Sequence, residues 1–171
     1  MTTFNFDPAH SAVEFSVKHL VISNIKGRFN DFDAKIEGDV NDLSSLKGEF
    51  VIKADSIDTR VEDRDGHLRS GDFLDVENYP EIKFEITHAD NKSITGNLTI
   101  KDVTKEETFE LNYEGKSKNP MNGSETVGFI VNGAVERDKY GVTFNQTLET
   151  GGVMIGKDIK FQVSLEFALE D

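Results

Sequence analysis

The sequence predicts a mainly β fold: an extended antiparallel barrel of about eight strands with one short helix. Two observations carry this expectation. Apolar residues recur at every second position through most of the chain, the period that gives a strand one buried face. Turn-rich breaks separate the runs at Asp39 to Asp42, Asp90 to Lys92, Lys101 to Thr104 and Asn119 to Gly123. The clearest run is the last. Ile159, Phe161, Val163, Leu165, Phe167 and Leu169 alternate with Lys160, Gln162, Ser164, Glu166 and Glu170, and only Ala168 breaks the polar side. From Ile159 to Leu169 the run covers 11 residues and spans about 36 Å at roughly 3.3 Å each, which makes the barrel tall.

The elements follow in chain order. Val13, Phe15 and Val17 form the first alternating set. Phe29 and Phe32 are out of step by one with each other, which predicts a β-bulge near Asn30-Asp31 before Ala34 and Ile36. Leu46, Phe50, Ile52 and Ala54 alternate next. Val61 to Leu74 is charged and lacks alternation, so it is the place for a short helix, weakened by about 1 kcal/mol at Gly66. Tyr79-Pro80 then forces extended geometry. Ile82, Phe84 and Ile86 form the next strand, then Ile94, Leu98 and Ile100, then Phe109, Leu111 and Tyr113, then Val127, Phe129, Val131 and Val135. The segment Asn145 to Asp158, with Gly151, Gly152 and Gly156, is a loop of the length that often carries function.

At 171 residues, with no linker or internal repeat, the chain makes one domain over 1–171. Thirteen Phe and no Trp make up an unusual apolar content. The net charge of −13 speaks against a nucleic-acid backbone or an anionic membrane surface as partner. Without cysteine there is no disulfide or thiolate chemistry. Residues 1–8 show no basic region followed by an apolar one, and no apolar run reaches the roughly 20 residues of a membrane helix. A cytoplasmic protein without stable membrane insertion is the expectation.

Catalytic and metal motifs are scarce. His10, His19, His67 and His88 have no metal-ligand spacing, no nucleophile elbow is present, and no glycine-rich phosphate loop occurs. No catalytic residue, metal ligand or cofactor is assigned. His10, after Asp7-Pro8, suits a capped turn, while His19 shares the inward parity of Phe15 and Val17. The cluster of Arg60, Asp63, Arg64, Asp65, His67, Arg69 and Asp72 suits either an ion-paired solvated helix or a polar lid, with Arg64 or Arg69 meeting a ligand's head group. Gly27, Gly38, Gly48, Gly96, Gly115 and Gly133 lie on the inward parity of their strands. They mark sharp bends, or they leave room for a ligand; the pattern allows both.

The motifs, taken in order, resemble a known family. Asp7-Pro8-Ala9-His10-Ser11 opens the resemblance, and Gly27-Arg28-Phe29 with Phe32 continues it. Ser56-Ile57-Asp58-Thr59, Arg64-Asp65-Gly66-His67-Leu68, Phe73 and Tyr79-Pro80-Glu81-Ile82-Lys83-Phe84 follow. Gly96-Asn97-Leu98-Thr99-Ile100 and Val103-Thr104-Lys105 complete it, with Asp102 where the family usually has glycine. Over nearly its whole length the chain resembles the YceI-like proteins, a lipocalin-like group of bacterial polyisoprenoid-binding proteins. The resemblance implies a barrel around an elongated apolar tunnel that holds a long isoprenoid, a quinone tail or another lipid. It also leaves a homodimer open.

Strand parity and the resemblance together select Phe15, Val17, His19, Phe29, Phe50, Ile52, Arg64, Phe84, Ile86, Leu98, Phe129, Val131, Phe161 and Val163 as ligand-contacting residues, with Phe73 and Phe144 at the portal. Ile159 and Leu169 should lie nearer the barrel's two ends. The expected role is non-catalytic binding, as carrier or store. Two other readings stay open: an enzyme acting on a lipid through Arg64, Asp65 and His67, and an interaction protein with a filled barrel.

Overall fold

The computed structural model describes residues 2–20, 22–143 and 155–170. The strands are β1 (Thr2–Phe6), β2 (Ala12–His19), β3 (Ser23–Phe29), β4 (Phe32–Asp39), β5 (Asp42–Lys53) and β6 (Ile57–Asp58). After the helix α1 (Glu62–Arg69) come β7 (Glu81–Ala89), β8 (Ser93–Ile100), β9 (Val103–Lys118), β10 (Glu125–Glu136) and β11 (Asp158–Glu170). Strands β1, β4, β5, β7, β8, β9, β10 and β11 are neighbours in that order, and β11 pairs back onto β1. The result is a closed antiparallel barrel of eight strands with one short helix, as the alternation indicates.

The ring is not the same at both ends. One edge of β11 pairs with β10 along its whole length. The other edge is divided: Phe167 to Glu170 pairs with β1, and Lys160 to Ser164 pairs with β2. Strand β2 continues to β3, and β3 to β6. At the end that carries α1, β2 stands where β1 stands at the other, while β3 leads straight into β4 and β6 continues β5, so strand number does not differ between the ends. The lumen is wide at the α1 end, where a cavity remains, and narrow at the other, which side chains fill.

The narrow end is solid. Phe4, Val127, Phe129 and Phe167 are buried there among Leu111, Leu43 and Leu46. Phe4 stacks on Phe129 with ring centroids 6.4 Å apart, and Tyr113 stacks on the same ring at 5.1 Å.

Asp7-Pro8-Ala9-His10-Ser11 lies where the edge of β11 changes partner. The Asp7 amide donates to the Glu166 carbonyl at 3.0 Å, and the Glu166 amide donates to Ser11 Oγ at 3.0 Å. Ser11 Oγ donates in turn to the Asp7 carbonyl at 2.7 Å, while Asp7 Oδ1 accepts from the Ala9 amide at 3.1 Å. The motif is a staple at the seam. His10 Nδ1 sits 2.7 Å from Asp7 Oδ2 and 3.4 Å from Glu166 Oε2. These three side chains are close enough to share a cation, but the His10–Asp7 hydrogen bond already occupies two of the ligand atoms.

That contact predicts a pH window. The hydrogen bond from Asp7, and then its charge, raise the His10 pKa above 6.5; the same bond lowers that of Asp7 below 3.8. A raised histidine contributes below its unfolded value and loses the contribution as pH rises through its folded one, and a lowered aspartate does the opposite. The pair therefore contributes fully between pH 3.8 and 6.5 and fades on both sides. An NMR titration should place the His10 midpoint above 6.5, and Asp7→Asn should bring it down. An unchanged midpoint in that variant would remove Asp7 as the cause.

Three local differences from the sequence expectations have physical reasons. Asn30-Asp31 interrupts one continuous course that β3 and β4 follow in the same direction: two residues there stand opposite four, 53–56, on the partner course, a wider break than a one-residue bulge. The register shifts lie instead at Glu37/Asp39, Ile86/His88 and Gly128/Phe129. Strands β1, β3 and β6 also carry no alternation long enough to see: β1 has only Phe4 and Phe6, and β3 only Ile25 and Phe29 around Gly27. The helix was expected, and its acidic first turn and basic last turn suit the helix dipole.

Candidate functional site

Inside the wider half lies a cavity of about 370 Å³. Strand β2 contributes Val13, Phe15, Val17 and His19, and β3 contributes Ile25 and Phe29. Phe50 and Ile52 come from β5, Ile82, Phe84 and Ile86 from β7, and Ile94, Leu98 and Ile100 from β8. Phe109, Val131, Val135, Ile159, Phe161, Val163 and Leu165 complete the wall, and Ile36 and Ile57 fill between strands. At the rim stand Arg64, His67 and Leu68 of α1, Phe73 and Leu74 after it, Lys83, Arg137, Val142 and Ile155. The ionisable side chains among these lining residues are His19, Arg64, His67, Lys83 and Arg137, all basic.

Thus the cavity brings together Phe15, Val17, His19, Phe29, Phe50, Ile52, Arg64, Phe73, Phe84, Ile86, Leu98, Val131, Phe161 and Val163. Phe129 is not among its lining residues. It points inward as parity requires, but at the narrow end, where its ring is enclosed by Phe4, Tyr113 and Phe167. Parity fixes the face of a strand and says nothing about height along it. Phe144 and residues 145–154 of the loop expected at the portal lie outside the described residues. Leu169 packs against the solid core, while Ile159 lines the cavity.

Three of the inward glycines are covered by aromatic rings. Phe15 faces Gly27 and Phe161 faces Gly133 directly across the ladder. A Cβ on Gly27 would lie 2.5 Å from Phe15 Cζ, and one on Gly133 would lie 2.9 Å from Phe161 Cζ. Gly96 receives the Phe84 ring in the same way, at 2.6 Å. Each ring occupies the place a side chain would take, and so lies against the wall rather than across the lumen. Gly48 serves curvature instead: its φ is +142°, and a Cβ would strike the Lys35 carbonyl oxygen.

The rim is tied by hydrogen bonds. Arg64 Nε donates to Thr59 Oγ1 at 2.8 Å and Nη2 to the Thr59 carbonyl at 2.7 Å. Thr59 donates its amide and hydroxyl to the buried Asp65 carboxylate. His67 Nε2 pairs with Asp72 Oδ2 at 2.9 Å, with its ring edge-on to Phe73. Arg69 instead donates to the Asp55 and Ile57 carbonyls and is not itself among the lining residues.

Arg137, only 6% exposed, escaped the sequence reading because a charged residue at a strand end looks solvated. Its Nε donates to the Gly156 carbonyl at 2.9 Å, Nη1 to Val142 at 3.0 Å and Nη2 to Ile155 at 3.2 Å. Burial pulls its pKa down from the usual guanidinium range. Beside it Tyr140 is 1% exposed, with no hydrogen bond to its hydroxyl among the described residues. Burial first, and the Glu107 carboxylate second, push that phenol's pKa up. The other missed wall residues, such as Val13, Ile82, Ile100, Phe109 and Leu165, share the inward parity of neighbours that were chosen, so parity alone could have found them.

Among the described residues no helix is long and apolar enough to cross a membrane. A family model for the YceI-like domain matches residues 4–167. UPF0312 proteins of Staphylococcus epidermidis strain ATCC 12228 and Staphylococcus aureus strain N315 are 51% and 50% identical over 171 residues, covering 100% of this chain and of each relative. The crystal structure of the Campylobacter jejuni YceI protein shares 31% identity at a TM-score of 0.74, covering 90% of both chains. A polyisoprenoid binding domain from Saccharophagus degradans has the same fold at 13% identity, with a TM-score of 0.73 over 99% of this chain and 98% of that one. An eight-stranded barrel with a wide apolar end, these ordered motifs and near-complete coverage lead to one conclusion: the chain belongs to the YceI-like domain family.

Proposed function

We propose that this protein binds a long apolar chain, a polyisoprenoid or quinone-type lipid, non-covalently in the wide half of its barrel, as a carrier or store. The observation that carries the reading is the apolar cavity of about 370 Å³, within the range of small-molecule sites. The Saccharophagus degradans neighbour, a polyisoprenoid binding domain, supports the same ligand class. Burying a CH₂ group is worth about 0.8 kcal/mol, so ten of them give about 8 kcal/mol gross. Association costs of about 4–15 kcal/mol consume that, so the cavity selects long chains over short ones. Phe walls suit the task because each ring offers a broad apolar face with few rotamers. The basic rim disfavours a cationic head group and accepts a neutral polar or anionic one.

A catalytic reading finds less support. Arg64, Asp65 and His67 each have a structural partner in Thr59 or Asp72. The test is organic extraction of the purified protein followed by mass spectrometry, with uptake of an added polyprenyl compound as the second arm. A clean extract together with no uptake would end the proposal.

A further inference from the structure

We infer that the β2–β3 hairpin tip is a docking surface for a lipid bilayer containing anionic lipids. The sequence there is Leu20-Val21-Ile22, and Leu20 and Ile22 lie in the turn. Leu20 is 38% exposed and Ile22 is 85% exposed. Leu20 takes a left-handed backbone at φ +54°, a conformation that costs a branched residue energy and that turns usually give to glycine or asparagine. The turn is nevertheless held shut: the Ile22 amide donates to the His19 carbonyl at 3.3 Å, and Ser23 Oγ donates to the same oxygen at 3.2 Å. The apolar side chains are thus displayed on an ordered hairpin.

The outer wall beneath the tip is basic. Lys160 on β11 and Lys26 on β3 both pair with Ser16 of β2, so the two lysines flank one residue in a single cross-strand row. Lys18 lies two residues closer to the tip on β2. All three are exposed, and none forms an ion pair with a carboxylate among the described residues. In a chain of net charge −13 this row is a local exception. Charges beyond roughly 10 Å are screened at physiological salt, so the surface nearest the lipid decides the sign of the interaction. An apolar tip backed by unpaired lysines complements an anionic membrane interface.

The place in the fold gives the docking a purpose. His19, next to Leu20, lines the cavity and bridges to Ile155, another rim residue. Ile25, two residues past the hairpin turn, lines the cavity as well. A bilayer against the tip would therefore meet the rim of the wide end. Met121, 93% exposed in the β9–β10 turn, lies at the other end of the barrel from the cavity and serves as the control.

The experiment is flotation of the purified protein with vesicles of phosphatidylcholine alone or mixed with phosphatidylglycerol. It reads the surface whatever the cavity holds, so it stands or falls separately from ligand binding. Wild type should float with the mixed vesicles, and added salt should weaken it. Leu20→Ser with Ile22→Ser should weaken flotation at least about tenfold. Replacing Lys18, Lys26 and Lys160 by glutamine should weaken it about a hundredfold. Met121→Ser should change nothing. Ile22→Ser alone, at a position with little burial to lose, keeps the test intact if the double variant misfolds. Wild type that does not float, or Ile22→Ser and lysine variants that float as well as it does, would overturn the inference. A wild-type dimer that the tip substitutions split would overturn it too, since a second copy would then be the occupant.

Discussion

Replacing Arg137 by leucine should lower the unfolding free energy by about 3–5 kcal/mol. The guanidinium is buried and donates to the carbonyls of Val142, Ile155 and Gly156, the residues that flank the segment from 143 to 154 on both sides. Burying it carries a desolvation cost, which is why its pKa is pulled down, and leucine removes that cost. Leucine also leaves those carbonyls without their donor, at roughly 1–3 kcal/mol for each acceptor that stays dry. The second effect is larger because one residue serves several acceptors. Arg137→Lys should recover only part of the loss, because an ammonium has no planar fork to span them. Urea denaturation measures both variants. A loss under about 1 kcal/mol for the leucine variant would show that water replaces the guanidinium at little cost.

Val163→Trp should abolish uptake of a polyprenyl compound while leaving the melting temperature unchanged or higher. Val163 lines the cavity midway along β11, opposite Val13 and Val131. An indole there enters a space of about 370 Å³ and gains wall contacts instead of displacing them. The same change at Val127, 1% exposed in the packed end, has no space to enter and should cost about 1–3 kcal/mol or more through overpacking. The two substitutions add the same atoms to the two halves of one barrel, with opposite expected signs. Uptake of added lipid and thermal melts together decide the matter. A Val163→Trp variant that takes up ligand as well as wild type would place the lipid elsewhere. One that melts far lower would mean that the wide end is as full as the narrow one.

How much of this is legible in the sequence depends on which physical property each residue carries. Burial of one face is written in alternation, so Phe15, Phe84 and Phe161 could be placed on the inside before any coordinates. Height along the barrel is not written there, which is why Phe129, on the correct face, joined the cavity list although it packs in the solid end. The inward glycines were visible, but a sequence does not show that Phe15 and Phe161 lie over Gly27 and Gly133, since that depends on cross-strand register. Arg137 was hidden for a different reason: its partners are main-chain carbonyls, and any residue supplies those. Which half of the lumen is filled depends on how Phe4, Phe129 and Phe167 pack across it, and alternation does not record that.

The divided edge of β11 also constrains how the molecule comes into being. Thr3 pairs with Glu170, and Val13 with Val163, so both seams join strands from opposite ends of the chain. Until β11 has been synthesised, β1, β2 and β10 each present an open hydrogen-bonding edge, and the Phe-rich interior has no final wall. Pairings of such long sequence separation form late and slowly, and open edges of this kind recruit other chains. The strand that closes the barrel onto β1 at one end and β2 at the other is also the one that leaves the nascent protein most exposed to aggregation while it waits.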